Sequence, residues 1–132
     1  MNLRGLAHVG ILVADVEPAR ALFARMGCAV TGPERDDELG LWLLWVDVGG
    51  AILEFVAPAR EDSRAAAALA RGEGGVHHVA LEVGDVAAAV AELTAAGTPV
   101  RDAVPRLGAH GSRVAFLDPS AAGGALIELV EP

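Results

Sequence analysis

Apolar and polar positions follow one another in an order that predicts alternating strands and alanine-rich helices. Residues 6–13 are apolar and β-branched, which is typical of a strand. The alanine-rich run behind this strand ends at Gly27, and a similar run in the second half ends at Gly97, so each run predicts a helix. Asp15 and Asp85 precede the two runs and are predicted to be N-caps. Further strands are predicted at about 28–32, 40–48, 50–57, 98–104, 112–117 and 124–130.

The second half of the chain repeats the first. Residues 8–30 align without a gap on residues 78–100, and nine of the 23 positions are identical. A second match places residues 51–58 over residues 125–132. Alanine-rich helices can resemble one another by composition alone, but the matched His, Asp, Gly and Glu positions cannot. Each copy therefore predicts one βαβββ module.

This repeat predicts a single α+β domain over residues 1–132, built from two tandem modules. Module 1 covers about 1–57, and module 2 covers about 76–132. Residues 58–75 form a linker that holds a short helix at about 62–71. A chain of this length fits one domain and can bury about two thirds of its unfolded surface.

One histidine and one glutamate stand at equivalent places in each module. His8 and His78 open the first strands, and Glu54 and Glu128 lie inside the apolar last strands. A buried carboxylate is costly unless it is paired or bound to a cation. If the modules pack about a pseudo-two-fold axis, both pairs reach a common centre. Two imidazoles and two carboxylates suit a divalent metal such as Co, Ni, Mn, Fe or Zn, so the sequence predicts a metal site.

Charge and composition narrow the range of partners. The net charge is −8, and all ten basic residues are arginine. A negative field opposes phosphate backbones and anionic lipid heads, which disfavours nucleic-acid and membrane partners. The longest apolar stretch, residues 39–53, contains Asp47 and is too short to span a membrane. Cys28 is alone, so no intrachain disulfide can form, and no signal peptide is visible; a cytoplasmic location is expected.

Three stretches of sequence carry a family resemblance. They are PAREDSRAAAALARGEGGVHHVALEV at 58–83, PRLGAHGSRVAFLDPS at 105–120 and the terminal GGALIELVEP. With the doubled module and its H…E…H…E order, they resemble the vicinal oxygen chelate superfamily, and within it the methylmalonyl-CoA epimerases. The resemblance covers nearly the whole chain. It implies eight strands in a cupped, open barrel around a divalent metal with the ligands His8, Glu54, His78 and Glu128.

The resemblance also implies a reaction. The carbonyl oxygens of a 2-methylmalonyl thioester bind the metal, which stabilises an enolate while the α-proton is removed and returned on the opposite face. In several epimerases of this kind the glutamate of the last strand, here Glu128, is one base. A second glutamate, in the third strand of the first module, is the other. Leu43 stands at that position here, and Asp47 faces the same side about 13 Å further along the strand.

Substrate and assembly are expected from the same resemblance. Arg106 and Arg113 flank the matched loop and could bind CoA phosphates bidentately. His110, in a glycine-flanked loop, could contact the substrate. Members of the superfamily are commonly dimers. We therefore expect an acyl-CoA substrate and a homodimer.

Two other functions stay open on the sequence. A glyoxalase-type lyase or isomerase also uses two histidines and two glutamates. A non-catalytic binder of small molecules, like the drug-resistance proteins of the same fold, is favoured by Leu43 and by two tryptophans that could line a cavity. Trp42 and Trp45 are three residues apart and so lie on opposite faces of their strand. Only one of them can face the site.

Overall fold

The computed structural model describes residues 1–132, with eight strands and three α-helices in the predicted order. Their bounds are β1 Leu3–Leu12, α1 Glu17–Arg25, β2 Ala29–Asp36, β3 Leu41–Asp47, β4 Ile52–Pro58, α2 Arg64–Ala70, β5 Gly75–Val83, α3 Val86–Ala95, β6 Arg106–Leu107, β7 Arg113–Phe116 and β8 Ile127–Glu131. The series β1-α1-β2-β3-β4 and β5-α3-β6-β7-β8 are two copies of one βαβββ module. The α+β fold class is therefore confirmed.

The chain forms two compact units with the same internal topology. The N-terminal unit is His8–His77, and the C-terminal unit is Met1–Ala7 with His78–Pro132. The strand order is β2-β3-β4-β1 in the first and β5-β8-β7-β6 in the second. The module's first and last strands pair in parallel in both cases, and its other neighbouring strands are antiparallel. The two units thus have the same strand order and the same strand directions, as a duplicated sequence predicts.

In the N-terminal unit, α1 covers one face of the strands. The buried residues of that core are Val16, Leu44, Val46, Phe55 and Ala57. Because successive side chains of a strand point to opposite faces, the residues between them lie on the face away from α1. Leu43, Trp45 and Glu54 are such residues. The short helix α2 packs its Ala65 and Ala68 against Leu12.

In the C-terminal unit, α3 covers the equivalent face. The buried residues of this core are Val83, Val86, Ala89, Val90, Ala115, Leu117 and Leu129. Alternation again turns the neighbouring positions away from the helix, and these include His78 and Glu128. Beside them on that face lies a small apolar cluster of Ala80, Val114 and Val130.

The predicted strand at about 98–104 is wrong. Val100 makes only an isolated bridge with Leu117, and regular pairing with β7 begins only at β6, after this segment. The N–H groups of Arg101 and Asp102 both donate to the Phe116 carbonyl, at 3.0 and 3.1 Å, so the ladder is irregular here. Pro99 and Pro105 bracket the segment, and neither can donate a ladder hydrogen bond.

The predicted helix ends are confirmed. Gly27 and Gly97 follow α1 and α3 with φ of +79° and +86°, the left-handed conformation that glycine adopts most readily. The helix α2 lies inside the predicted linker helix. Its N-cap is Ser63, whose Oγ accepts a hydrogen bond from the Ala66 N–H at 3.1 Å. None of the helices is long and apolar enough to span a membrane.

The two predicted N-cap aspartates have different outcomes. Asp85 is the N-cap of α3, and its Oδ1 accepts from the Ala88 N–H at 2.9 Å. The prediction for Asp15 is wrong, because Val16 is the N-cap of α1 and makes no side-chain cap bond. Asp15 instead accepts from the N–H two residues on, that of Glu17, at 2.9 Å. This is the local turn that aspartate forms in competition with a cap.

Replacing Asp85 by alanine is expected to lower the free energy of unfolding by about 1 kcal/mol, because an orphan N–H of α3 loses its partner. Chemical denaturation followed by far-UV circular dichroism measures this change. Asp15→Ala is the matched control and should cost clearly less. Equal losses in the two variants would contradict the distinction between a cap and a local turn.

Candidate metal centre

In the N-terminal unit, β4 turns Glu54 away from the helix-covered core. Its neighbours Leu53 and Phe55 pack in the core under α1, so alternation sends Glu54 to the opposite face. In the strand register Glu54 lies opposite Gly10 of β1 and Trp45 of β3. His8 is two residues before Gly10 and therefore lies on the same face of β1 as Gly10. The distance from His8 Nε2 to Glu54 Oε2 is 3.8 Å, and each side chain is 15% exposed.

In the C-terminal unit, β8 places Glu128 in the same way. Ile127 and Leu129 pack on the α3 side, and Glu128 points to the other face. His78 Nε2 lies 3.0 Å from Glu128 Oε2, and the two side chains are only 7% and 8% exposed. The Phe116 ring stands edge-on to the His78 ring, with 5.4 Å between the centroids. This histidine–glutamate pair is therefore enclosed by protein.

The two pairs occupy equivalent register positions. Glu54 lies opposite Gly10 and Trp45, and Glu128 lies opposite Ala80 and Phe116. In both units the histidine nitrogen nearest the carboxylate is Nε2. Imidazole nitrogen and carboxylate oxygen are ligands that first-row divalent metals accept. A buried carboxylate also needs a cation or a proton donor beside it. The donor chemistry of both units thus fits a divalent metal.

The three predicted substrate-binding residues lie on one hairpin. Arg106 belongs to β6, Arg113 begins β7, and His110 lies in the 3₁₀ turn Ala109–Gly111 between them. His110 has a φ of 56°. Arg106 forms an ion pair with Asp102 at 3.2 Å, and its guanidinium lies 5.6 Å from the centre of the Phe116 ring. Arg106 thereby reaches the ring that contacts His78.

A second turn fixes the start of β8. Asp118 caps the 3₁₀ turn Pro119–Ala122, and its Oδ1 accepts from the Ser120 hydroxyl and N–H at 2.7 and 2.9 Å. These two hydrogen bonds lower the pKa of Asp118 below its usual value. The Leu117 N–H then donates to the Ile127 carbonyl at 3.0 Å. This bond sets the register in which Glu128 follows.

The structure adds contacts that residue spacing did not predict. The Trp45 indole N–H donates to Glu54 Oε2 at 3.3 Å, and Asp102 Oδ2 accepts from the Phe116 N–H at 2.9 Å. The Trp45 contact has a signal in the sequence, because a turn at Gly49-Gly50 sets position 45 opposite position 54. The Asp102 contact has none, since it depends on the irregular segment before β6.

Comparisons with known proteins give one family. The chain matches the family model of the glyoxalase/bleomycin resistance protein/dioxygenase superfamily over residues 7–116. It is 37% identical over 130 residues to the mitochondrial methylmalonyl-CoA epimerase of Bos taurus. The aligned region covers 97% of this chain and 74% of that relative. It is similar to the crystal structure of methylmalonyl-CoA epimerase from Mycobacterium tuberculosis, with a TM-score of 0.87 and 34% identity over 98% of this chain and 89% of that one. It is also similar to a glutamate-to-leucine variant of the Streptomyces coelicolor methylmalonyl-CoA epimerase in complex with 2-nitronate-propionyl-CoA, with a TM-score of 0.85 and 34% identity over 98% of this chain and 95% of that one.

Proposed function

The chain belongs to the glyoxalase/bleomycin resistance protein/dioxygenase superfamily, and we propose that it is a metal-dependent epimerase of methylmalonyl-CoA or of a related 2-substituted acyl thioester. The observation that carries the proposal is the enclosed pair of His78 and Glu128, with nitrogen and oxygen 3.0 Å apart. Its equivalent in the other module is the pair of His8 and Glu54. Relatives at this level of identity are methylmalonyl-CoA epimerases, which supports the same chemistry here.

The proposed metal ligands are His8, Glu54, His78 and Glu128. Their donor atoms, two imidazole nitrogens and two carboxylate oxygens, suit a divalent ion. Glu54 joins the set because it occupies the register position in module 1 that Glu128 occupies in module 2. We propose Co, Ni, Mn or Zn as the ion. Homodimer formation and a cytoplasmic location stay predictions from the sequence.

When bound, the metal supplies a Lewis acid that withdraws charge from the carbonyl oxygen next to the α-carbon. Side chains of the protein then remove the α-proton. Glu128 Oε2 is 3.0 Å from the His78 imidazole and lies on the same sheet face as the apolar side chains of Ala80, Val114 and Val130. A carboxylate in such surroundings is a suitable general base for an acidified α-proton. We therefore assign proton removal to Glu128.

The residue at position 43 sets the chemistry on the other face of the substrate. Leu43 shares a sheet face with Trp45 and Glu54 and lies opposite Val56, so β3 presents an apolar side chain there. Asp47 is exposed, and its Oδ1 accepts from the Gly49 N–H at 2.8 Å within the turn. Neither residue offers a second base near Glu54.

The proposal predicts metal-dependent exchange of the α-proton of methylmalonyl-CoA. Purified protein in deuterium oxide should incorporate deuterium at the α-carbon, measured by mass spectrometry of the thioester. Treatment with a chelator should stop the exchange, and added Co²⁺ should restore it. The reason is that the α-proton becomes acidic enough to be removed only when a Lewis acid binds the carbonyl oxygen. Elemental mass spectrometry should find about one divalent ion per chain, as a single four-ligand site requires.

The double variant His78→Ala/Glu128→Ala should lose both the metal and the exchange. Glu82→Ala is the matched control, because Glu82 is on β5 as His78 is and lies 4.0 Å from Arg4. That variant should keep both properties. Metal without exchange, combined with turnover of a methylglyoxal–thiol hemithioacetal, would instead establish a glyoxalase-type enzyme. Protein that takes up no Co, Ni, Mn or Zn would leave small-molecule binding as the function.

A further inference from the structure

The indole of Trp45 makes a directed contact with a proposed metal ligand. Its Nε1–H donates to Glu54 Oε2 at 3.3 Å, and the pair is partly buried. The same oxygen lies 3.8 Å from His8 Nε2. Trp45 and Glu54 face each other directly in the antiparallel register of β3 and β4. The contact is therefore fixed by backbone pairing and does not rely on a flexible loop.

Module 2 carries a different residue at the equivalent position. Phe116 lies opposite Glu128 as Trp45 lies opposite Glu54. Its ring has no N–H to donate, and it packs edge-on against His78 at 5.4 Å. The two modules thus place an aromatic ring beside each histidine–glutamate pair, but only the ring of module 1 can hydrogen-bond the carboxylate. The duplication has diverged at this point.

A glutamate side chain has three rotatable bonds, so its carboxylate needs support to hold one orientation. Hydrogen bonds from residues behind the ligands orient metal-bound groups and commonly set metal affinity. We propose that Trp45 is a positioning residue, which holds the Glu54 carboxylate in place so that this ligand of the proposed metal site is already oriented before the ion binds. This inference rests on the proposed metal ligands.

Trp42 supplies a matched control on the same strand. It packs against the core cluster of the N-terminal unit on the opposite face of β3, and its ring lies 5.6 Å from the Arg35 guanidinium. It is the only other tryptophan in the chain. The same substitution, tryptophan to phenylalanine, can therefore be made once beside Glu54 and once away from it. Trp45→Phe also gives module 1 the residue that module 2 has at this place.

Metal affinity, measured without any substrate, tests the inference. Wild type, Trp45→Phe and Trp42→Phe are stripped with a chelator, shown to be folded by circular dichroism, and titrated with Co²⁺ by calorimetry. Trp45→Phe should raise the Kd for Co²⁺ about 10- to 100-fold, the usual consequence of removing a hydrogen bond behind a ligand. Trp42→Phe should leave the Kd close to that of wild type. In a Glu54→Ala background, Trp45→Phe should make no further difference, because the residue acts only through Glu54.

Indole fluorescence gives a second readout that folding alone would not change. Trp42→Phe leaves Trp45 as the sole indole, and a bound Co²⁺ ion, with its partly filled d shell, should quench it strongly. Trp45→Phe leaves Trp42, which should be quenched much less at saturation. If wild type binds Co²⁺ and Trp45→Phe binds it equally well, the positioning role is wrong and the metal site stands. If none of the proteins binds a divalent ion, the metal site is wrong and this inference is overturned with it.

Discussion

Replacing Glu128 by glutamine is expected to reduce α-proton exchange about 10²- to 10⁴-fold, the usual contribution of a general base. Glutamine has nearly the same shape and keeps a carbonyl oxygen that a metal can accept as a ligand. Its amide, however, cannot take up a proton at neutral pH. The loss should therefore appear in the rate of deuterium incorporation at saturating substrate and much less in the metal content.

Glu54→Gln is the matched control for this prediction. Glu54 has the equivalent register position and the same residue type, and its substitution removes the same charge. The Trp45 N–H can still donate to an amide oxygen at position 54. We assign Glu54 to metal binding alone, so its variant should lose affinity for Co²⁺ and recover exchange when Co²⁺ is raised. Equal, irrecoverable losses in both variants would mean that the two glutamates do not have separate roles.

The histidine and glutamate pairs could be predicted because the sequence contains two copies of the same pattern. In a duplicated module, a residue at one register position has a partner at the other, and strand alternation then fixes the face of both. The pairings of Gly10 with Glu54 and of Ala80 with Glu128 follow that rule. A single His or Glu on a strand would not have predicted a site.

Other features could not be predicted because they depend on local competition between hydrogen bonds. Asp15 and Asp85 are matched in the repeat, yet one makes a local turn and the other a helix cap. The segment before β6 contains apolar residues as a strand does, but Pro99 and Pro105 interrupt its pairing. Asp102 then bonds the Phe116 N–H from this irregular segment. Alternation alone shows only that Trp42 and Trp45 lie on opposite faces of β3. The register that the Gly49-Gly50 turn sets is needed to show that Trp45 is the one beside Glu54.

Leu43→Glu is expected to increase the rate of inversion of the α-carbon, relative to the rate of exchange of the α-proton, by about 10²-fold or more. This is the usual gain from a general acid or base. In the proposed mechanism, Glu128 removes the α-proton and can return a solvent-derived deuteron to the same face, so that exchange of the α-proton is faster than inversion of the α-carbon. Leu43 lies on the same sheet face as Glu54 and opposite Val56, and its side chain can neither give nor take a proton. A glutamic acid there could protonate the other face of the enolate and complete the inversion. Chiral analysis of the recovered thioester, set against its deuterium content, measures the ratio.

Leu43→Gln distinguishes acid–base chemistry from a change of shape, because glutamine matches glutamate in size and cannot transfer the proton. Its ratio of inversion to exchange should equal that of wild type. A wild-type protein that already inverts the α-carbon once for every exchange would show that a second base acts from somewhere other than β3. That result would overturn the role given to position 43 and leave the proposed epimerase function in place. Leu43→Glu would in that case add nothing to the ratio. In the proposed mechanism, the side chain at position 43 therefore sets how often the epimerase inverts the α-carbon for each α-proton that it exchanges.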